Sequence, residues 1–520
     1  MAKIKIINLF PQQKTYFIIL AALIIAVFHQ ALFLSWTSDD AFISYRYAKN
    51  LNNGHGLVFN PGEKIEGYSN FLWVMILAVF DYFGIPPHWA AKIFPFCISL
   101  LSIFLIFKTA QAYGLNKLSS SLCSLFLSTS SSFAYYSMSG LETAIYTFLL
   151  LLSVFINEKY ESESNKKSLF YLYGTLLAIT LIRPEGILFL MISSGYHFLK
   201  KVVTGKGVHL KKVIQAQLLA FSIYAFLILL RYWYYSDILP NTYYAKPPGT
   251  FVELGYNALF VNFMNAFFSG SFLLIFLIPL LVKKIYLKKY AYPLLICLAQ
   301  LIFMSYAGDW MALGRFFLPI LPLFIILTVI LSQKFILRIQ HPFYKKLVML
   351  SFVVIWIFFL ASNVSQTSQA LVNKYEYPYS VMNSKKLIEL RERLNRNYPN
   401  AKKIATRRIG AISYYSNQKI IDILGLTDKK IASNIKTIKN IEKQNDVNSK
   451  IVLEKEPDLI ILFSFESYIL GCIYDKTHPQ YRLFQIEYLI FKIALNRGYK
   501  IMEEKKFSEN EKIIILTKNT

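Results

Sequence analysis

The sequence TSDDAFISYR at positions 37–46 decides the fold, because it sets two adjacent carboxylates directly after the first long apolar run, at about 15–34. An amphipathic segment follows and ends near Gly54. Carboxylates beside a membrane-spanning segment are costly unless they are used or paired. We therefore interpret Asp39 and Asp40 as the start of a polar loop that the later spans must keep on one side of a membrane.

The composition is that of a membrane protein. Of the 520 residues, 55% are hydrophobic and only 17% are charged, and the mean hydropathy is +0.41. Apolar runs near the length that crosses a bilayer recur along the chain. These runs fall at about 15–34, 69–84, 88–108, 118–136, 140–157, 168–182, 185–199, 213–235, 262–282, 290–306, 314–332 and 347–362.

The charge and the cysteines exclude several classes of protein. The net charge is +26, but the lysines cluster in short segments between apolar runs, as the positive-inside rule expects, so we predict no nucleic-acid partner. Three of the four cysteines, Cys97, Cys123 and Cys297, lie inside apolar runs. Only Cys472 lies outside them, so the sequence predicts neither a disulfide framework nor a metal site.

The run at 69–84 sets the topology. It is short for a span, carries Asp81 and precedes Gly84 and two prolines, so we predict an embedded helix that does not cross. All lysine-rich segments before 363 then share the cytoplasmic side with the N-terminus. The sequence thus predicts a polytopic α-helical module at 1–362, with about eleven spans, in the inner membrane of a bacterium. Its external loop at 35–68 precedes the embedded helix.

The remainder, at 363–520, is more polar and is predicted to be an extracytoplasmic α/β domain. The segment 384–397 has its leucines on one helical stripe. Short β-like runs occur at 403–405, 420–423, 459–463 and 513–517.

The Asp pair has two interpretations. Ser38 is a good N-cap, so Asp39 and Asp40 could do no more than complement a helix dipole. Alternatively, mutual repulsion raises the pKa of one carboxyl, which suits a general base for an acceptor hydroxyl. Arg46 lies seven residues after Asp39 on nearly the same helical face, where it could hold that carboxylate or a phosphate.

Two further candidates lie in the same predicted loop. His55 stands between two glycines, and a turn position explains it as well as a catalytic one does. Glu66 precedes the embedded helix, and a solvated surface carboxylate is the alternative interpretation. We retain both as supporting residues.

Later candidates occupy the predicted external ends of spans. Glu142 opens a span, where pairing with the helix dipole is the alternative role. Pro184 separates Arg183 and Glu185 between two apolar runs, and these two residues either form an ion pair that seals a hairpin or serve a site.

Arg315 is the strongest phosphate candidate, because a guanidinium at the outer start of a late span matches the phosphate of a polyprenyl carrier. Lys246 is a weaker second partner. Asn241, Asp309 and Trp310 are supporting residues near these positions.

Motifs of soluble enzymes are missing from the sequence, which has no glycine-rich phosphate loop after a strand and no nucleophile elbow. An activated sugar used outside the cytoplasm would therefore have to arrive on a lipid.

The chain resembles the C-type superfamily of integral-membrane glycosyltransferases, and within it the terminal arabinofuranosyltransferase family and its Gram-negative relatives. The likeness lies in DDAFISYR at 39–46, Asn50, GHGLVFN at 54–60, Gly62-Glu63, EGYSNFLW at 66–73, SGLET at 139–143, RPEG at 183–186, PNTYYAK at 240–246, GDW at 308–310, GAISYYS at 410–416 and IDILGLTD at 421–428. The resemblance implies a polyprenyl-phosphate-sugar donor, transfer outside the cytoplasm, and the Asp pair as the catalytic centre.

The expected reaction is a single, inverting displacement onto an envelope glycan or glycolipid. Asp39 or Asp40 would take the acceptor proton, and Arg315, with Arg183 or Lys246, would hold the departing polyprenyl phosphate. No cofactor is required by this scheme, and a divalent cation at the Asp pair is left open. A flippase for lipid-linked sugars is the main alternative, and a structural membrane protein is the third.

Overall fold

The computed structural model describes residues 11–163, 165–204, 210–245, 284–307, 311, 313–372, 384–464, 481–507 and 512–518. The apolar run at 262–282 and the candidates Lys246, Asp309 and Trp310 lie outside these residues.

The part before residue 373 is helical. Its α-helices, in chain order, are α1 (Pro11–Ala31), α2 (Ala41–Asn52), α3 (Phe71–Tyr82), α4 (Pro87–Ala112), α5 (Lys117–Ser128), α6 (Ser131–Ser137), α7 (Thr143–Glu163), α8 (Lys166–Ile182), α9 (Gly186–Thr204), α10 (Leu210–Tyr235), α11 (Asn241–Ala245), α12 (Lys284–Ala307), α13 (Leu321–Arg338) and α14 (Pro342–Val372). A short 3₁₀ helix, Leu318–Ile320, leads directly into α13.

Four described helices are long and apolar enough to cross a membrane: Pro87–Ala112, Leu210–Tyr235, Leu318–Arg338 and Pro342–Val372. Shorter apolar helices include Thr15–Ala31 within α1. The chain is thus a helical membrane protein, and the total of about eleven spans stays a prediction.

Helix α3 corresponds to the predicted embedded helix. It has 12 residues, or about 18 Å at the rise of an α-helix, whereas a bilayer core is about 30 Å thick. Gly84, at φ +83°, then reverses the chain before Pro86 caps α4. This length agrees with a helix that does not cross.

The apolar run at 118–136 is not one helix, which corrects the sequence prediction. Helix α5 ends at Ser128, and α6 begins at Ser131 after the Ser130 side chain accepts a hydrogen bond from the Phe133 amide. A hydropathy pattern does not register this break, because a serine cap ends and restarts helices without adding charge.

The C-terminal region is an α/β domain, as predicted. Its elements are α15 (Lys385–Asn397), β1 (Lys403–Thr406), α16 (Gly410–Tyr414), β2 (Lys419–Asp422), α17 (Lys429–Thr437), α18 (Ile441–Glu454), β3 (Leu459–Ser464), α19 (Tyr481–Asn496), β4 (Tyr499–Lys506) and β5 (Lys512–Lys518). The predicted leucine stripe of α15 is buried at Leu387, Leu390 and Leu394. All four predicted strands are confirmed.

The sheet has the order β2-β1-β3-β5-β4. Strands β2, β1 and β3 are parallel, and β5 pairs antiparallel with both β3 and β4. Because side chains alternate along a strand, Ile404 packs in the cluster that continues into the membrane helices, and Ala405 packs against α17, α18 and α19. One face of the sheet is therefore joined to the helical module. Helix α14 continues past position 362 to Val372, and the domain boundary at 362/363 stays a prediction.

Candidate functional site

The Asp pair lies at the start of α2. The helix begins at Ala41 with Asp40 at the N-cap position, so the expectation that Ser38 is the cap is wrong. The Ser38 carbonyl oxygen instead accepts the Ala41 amide at 3.1 Å, which extends the turn backwards by i+3 bonds. Asp39 and Asp40 consequently point to different sides of one helix.

Asp39 contacts the C-terminal domain. Its Oδ1 accepts the Ala411 amide at 2.7 Å and its Oδ2 accepts the Gly410 amide at 3.2 Å. A Cβ atom at position 410 would overlap the Asp39 carbonyl oxygen, so glycine is required for this approach. Burial raises the pKa of Asp39 to about 6, against the opposing effect of the Ala411 amide; the charge of Asp40 raises it further and that of Arg408 lowers it.

Arg46 contacts the same C-terminal segment as Asp39. It does not bond to the Asp39 carboxylate, and its guanidinium donates to backbone carbonyl oxygens rather than facing an open phosphate position. Its Nη1 donates to the Ser413 carbonyl oxygen and its Nη2 donates to the Gln418 carbonyl oxygen at 3.0 Å. Its Nε donates to the Phe59 carbonyl oxygen at 2.6 Å. Asp39 and Arg46 therefore contact the amide end and the carbonyl end of α16.

Asp40 is exposed, and its side chain makes no capping hydrogen bond. It lies one helical turn before Ser44, whose Oγ donates to Asn70 Oδ1 at 3.2 Å. Asn70 Nδ2 in turn donates to Glu142 Oε2 at 3.0 Å. The side of α2 that carries Asp40 thus leads towards Glu142.

Glu142, Glu185 and Arg315, which are buried, and the half-buried Arg183 form a group that we call the charge cluster. Glu142 Oε1 accepts Arg183 Nη1 and Arg315 Nη2, each at 2.7 Å. Arg183 Nε also donates to Glu185 Oε1. The ion pair considered for Arg183 and Glu185 is present, and it extends to two residues far apart in sequence.

The cluster has defined electrostatics. Burial alone would raise the pKa of Glu142, in the loop before α7, but the charges of Arg315 and Arg183 and the Asn70 hydrogen bond outweigh it and lower that pKa to about 2. Glu142 is therefore an anion that binds two guanidinium groups. Arg315 also donates from Nε to Thr143 Oγ1 at 3.2 Å and from Nη1 to Met311 Sδ at 3.1 Å.

The loops that carry the Asp pair and Glu142 are bonded to each other. The Ser38 amide donates to the Ser139 carbonyl oxygen at 2.9 Å. Tyr45 OH donates to the Gly140 carbonyl oxygen at 3.2 Å, and Gly140, at φ +80°, has no room for a Cβ atom beside that hydroxyl. Asp40 and the charge cluster consequently lie at the same end of the helical module.

None of the other described candidates bonds to the Asp pair or to the charge cluster. Glu66 pairs with Arg231 at 2.8 Å, and burial raises its pKa to about 7 in spite of that arginine. Asn241 joins the two domains, because its Nδ2 donates to the carbonyl oxygens of Gly425 and Leu426. His55 is exposed in the turn after α2.

Sequence reasoning missed Asn70 and Lys92. Asn70 links Ser44 to Glu142, and its place in the EGYSNFLW segment was the available signal. Lys92 Nζ donates to the carbonyl oxygens of Trp36 and Met138, beside both loops. Its signal was a single charge inside an otherwise apolar stretch. Among the residues that the structure describes, no group of three His, Cys, Asp or Glu side chains is placed to hold a metal ion.

Comparison with known proteins places this geometry in context. Residues 374–508 match the family described as Domain of unknown function (DUF8728). The terminal beta-(1->2)-arabinofuranosyltransferase of Mycobacterium tuberculosis is 33% identical over 82 residues, which is 15% of this chain and 13% of that protein. The match thus spans only a small part of the relative.

Solved structures match almost the whole chain. The apo oligosaccharyltransferase of Archaeoglobus fulgidus superposes with a TM-score of 0.59 at 11% identity over 90% of this chain and 72% of that one. The AglB oligosaccharyltransferase from the same organism, in complex with an inhibitory peptide and a dolichol-phosphate, gives 0.59 at 10% identity over 91% and 72%. ArnT from Cupriavidus metallidurans, bound to undecaprenyl phosphate, gives 0.59 at 10% identity over 98% and 99%.

Proposed function

We propose that this chain, which has the fold of the C-type superfamily of integral-membrane glycosyltransferases, moves a sugar from a polyprenyl-phosphate carrier to a hydroxyl group of an envelope glycan or glycolipid. One observation carries the proposal: an exposed carboxylate, Asp40, lies one helical turn from a hydrogen-bonded path to a cluster with two guanidinium groups. The short arabinofuranosyltransferase match, and the lipid phosphates bound to the solved relatives, agree with it.

Asp40 is the better base of the pair. Asp39 is buried, and each of its carboxylate oxygens already accepts a backbone amide of the C-terminal domain. Asp40 is exposed and makes no capping bond, and a carboxylate in reach of an acceptor hydroxyl can take its proton. We therefore assign the base to Asp40 and the contact with the C-terminal domain to Asp39.

The transfer is a single displacement. The acceptor oxygen forms a bond to the anomeric carbon while the bond from that carbon to the phosphate oxygen breaks. Asp40 receives the hydroxyl proton, and the polyprenyl phosphate leaves with the electron pair. Attack opposite the leaving group inverts the anomeric configuration.

Arg315 is the proposed phosphate partner. Its Nη1 donates to the sulfur of Met311, which is a weak acceptor, and a phosphate oxygen would replace that contact with a stronger, charge-assisted bond. Glu142 holds the rest of the guanidinium in place. Arg183, fixed by two carboxylates, and Lys246 are secondary partners in this proposal.

The site is proposed to face the outer side of a bacterial inner membrane, with the N-terminus in the cytoplasm. The positive-inside rule supports this orientation. Glu66, Asn241, Asp309 and Trp310 are proposed to shape the surroundings of the site and are given no chemical step.

Turnover of a polyprenyl-phosphate sugar by the purified protein in detergent tests the function. We expect wild-type protein to release polyprenyl phosphate in the presence of acceptor, and Asp40→Asn to lower kcat by about 100-fold or more, the usual contribution of a general base. Asp39→Asn is the matched control and should keep kcat within about tenfold. A flippase would show no turnover in detergent and would move the lipid only across sealed membranes, which would reject the enzyme.

A further inference from the structure

Lys92 is a buried charge that the proposed reaction does not use. It lies in the second turn of α4 and is 8% exposed. It is the sole charged residue between positions 88 and 107. Within the described residues, no carboxylate forms an ion pair with it, so its ammonium is held by neutral oxygens.

Those oxygens belong to two particular carbonyl groups. Lys92 Nζ donates to the carbonyl oxygens of Trp36 and Met138. Trp36 immediately precedes the segment that carries the Asp pair, and Met138 immediately precedes the segment that ends in Glu142. One ammonium group therefore bonds to the residue that precedes the Asp-pair loop and to the residue that precedes the Glu142 loop.

The energetic cost of this arrangement indicates that the bonds matter. An ammonium group buried in an apolar helix loses several kcal/mol of solvation. Two carbonyl acceptors recover part of that loss, since hydrogen bonds to a charged donor are about twice as strong as neutral ones. A leucine would pack at this position without the cost but would leave both carbonyl oxygens without this donor.

The carbonyl contacts act together with direct bonds between the loops. The Ser38 amide donates to the Ser139 carbonyl oxygen at 2.9 Å, and each residue lies close in sequence to a carbonyl that Lys92 binds. Beyond these bonds the two loops lead to Asp40 and Glu142. A shift of one loop against the other at Trp36 and Met138 would therefore alter the distance between Asp40 and the charge cluster.

We propose that Lys92 is a positioning residue that fixes the Asp-pair loop against the Glu142 loop. It acts through backbone carbonyl groups and touches neither Asp40 nor Glu142. Its effect on the reaction rests on the proposed function, whereas its effect on the loops does not. An error of about 1 Å in such a placement can lower a rate by about 100-fold.

The test uses the full-length protein in detergent with Lys92→Met, Lys92→Arg and the control Lys108→Met, which removes a lysine near the other end of α4. Hydrogen exchange of the peptide containing Ser38 reports on the loops, and kcat and KM for a polyprenyl-phosphate sugar report on the reaction. We expect Lys92→Met to speed exchange at that peptide by about tenfold. We expect its kcat to fall by about 30-fold, within the range of a misplaced group, and its KM to stay within about threefold. Lys92→Arg should bring both the exchange rate and kcat part of the way back to wild type, because a guanidinium can also donate to two carbonyl oxygens.

The outcomes separate the two proposals. Unchanged exchange in Lys92→Met overturns the positioning role, and a raised KM with unchanged exchange identifies Lys92 as a ligand of the donor phosphate instead. Faster exchange in a protein whose wild type shows no turnover supports the loop contact and counts against the proposed function. If Lys92→Met speeds exchange but keeps the wild-type kcat, the proposed effect of Lys92 on the reaction is wrong.

A cross-link covers the case in which Lys92→Met folds poorly. Ser38→Cys and Ser139→Cys place two thiols on residues whose backbones are already hydrogen-bonded to each other. In the Lys92→Met background, oxidation should restore kcat and a reductant should remove the gain. A cross-linked protein that stays as slow as Lys92→Met would reject a positioning role.

Discussion

At the residue scale, Asp39 and Asp40 are neighbours with opposite environments. Asp39 is 6% exposed and bonded to two amides of the C-terminal domain, and Asp40 is exposed at the end of a helix. The sequence could predict that the pair is important, because two carboxylates after an apolar run are costly. It could not divide the roles, since the groups that do so, Gly410 and Ala411, lie about 370 positions away.

The buried carboxyl of Asp39 should make the stability of the protein depend on pH. Because burial raises its pKa from 3.8 to about 6, the folded state binds this proton more tightly than the unfolded state does. Its contribution to stability is therefore fully present below about pH 3.8 and is lost as the pH rises through about 6. We expect wild-type protein to lose stability relative to Asp39→Asn between pH 4 and 7 by up to about 3 kcal/mol.

Thermal unfolding of both proteins in detergent across this range measures the difference. Glu66 and Asp422 also have raised pKa values, but they are present in both proteins and cancel in the comparison. Parallel Tm curves would mean that Asp39 titrates alike in the folded and unfolded states, contrary to the expectation.

At the element scale, one side of α2 contacts the C-terminal domain and the other side leads to the charge cluster. Asp39 and Arg46 contact the ends of α16, and Ser44 leads to Asn70 and the charge cluster. Periodicity predicted that Asp39 and Arg46 share a face. It did not predict the partner of that face, because the pattern shows which residues turn the same way and not what covers them.

Loss of the Arg46 contacts should loosen the C-terminal domain. Arg46→Met keeps the aliphatic stem but leaves the carbonyl oxygens of Phe59, Ser413 and Gln418 without this donor, at a cost on the order of 3 kcal/mol. We expect faster proteolysis of the C-terminal domain and a lower Tm. Arg396→Met, which changes an exposed arginine in the last turn of α15, is the control and should match wild type. Equal proteolysis of the two variants would show that Arg46 does not hold the domain.

Other elements show the reach and the limit of sequence patterns. Four of the five strands of the C-terminal domain and the leucine stripe of α15 follow from periods of two and 3.6 residues and were predicted, whereas β4 was missed. The break between α5 and α6 was not, because it depends on the hydrogen bond from the Phe133 amide to the Ser130 side chain. Local side-chain bonds to the backbone end helices without changing hydropathy.

At the scale of the whole molecule, the contacts between loops place the site and the C-terminal domain at one end. The Ser384 amide donates to the Thr37 carbonyl oxygen at 3.0 Å, next to the Asp pair, and Glu142 is bonded into the same region at the start of α7. Lys159 lies near the other end of this 21-residue helix, about 24 Å away at the helical rise. The apolar runs and the lysine distribution predicted which loops share an end, and these contacts show which residues of those loops meet.

Labelling of single cysteines should therefore give opposite results for the two ends. We use Glu456→Cys in the C-terminal domain and Lys159→Cys near the C-terminal end of α7, both with exposed side chains, in protein whose four native cysteines are replaced by serine. Because lysine-rich loops stay in the cytoplasm, a membrane-impermeant maleimide added to intact spheroplasts should label position 456 and should label position 159 only after permeabilisation. Labelling of position 159 alone would show that the orientation is inverted and would rule out a glycosyltransferase acting at the outer face. Labelling of both in intact spheroplasts would contradict the structure itself, since α7 would not separate the two ends.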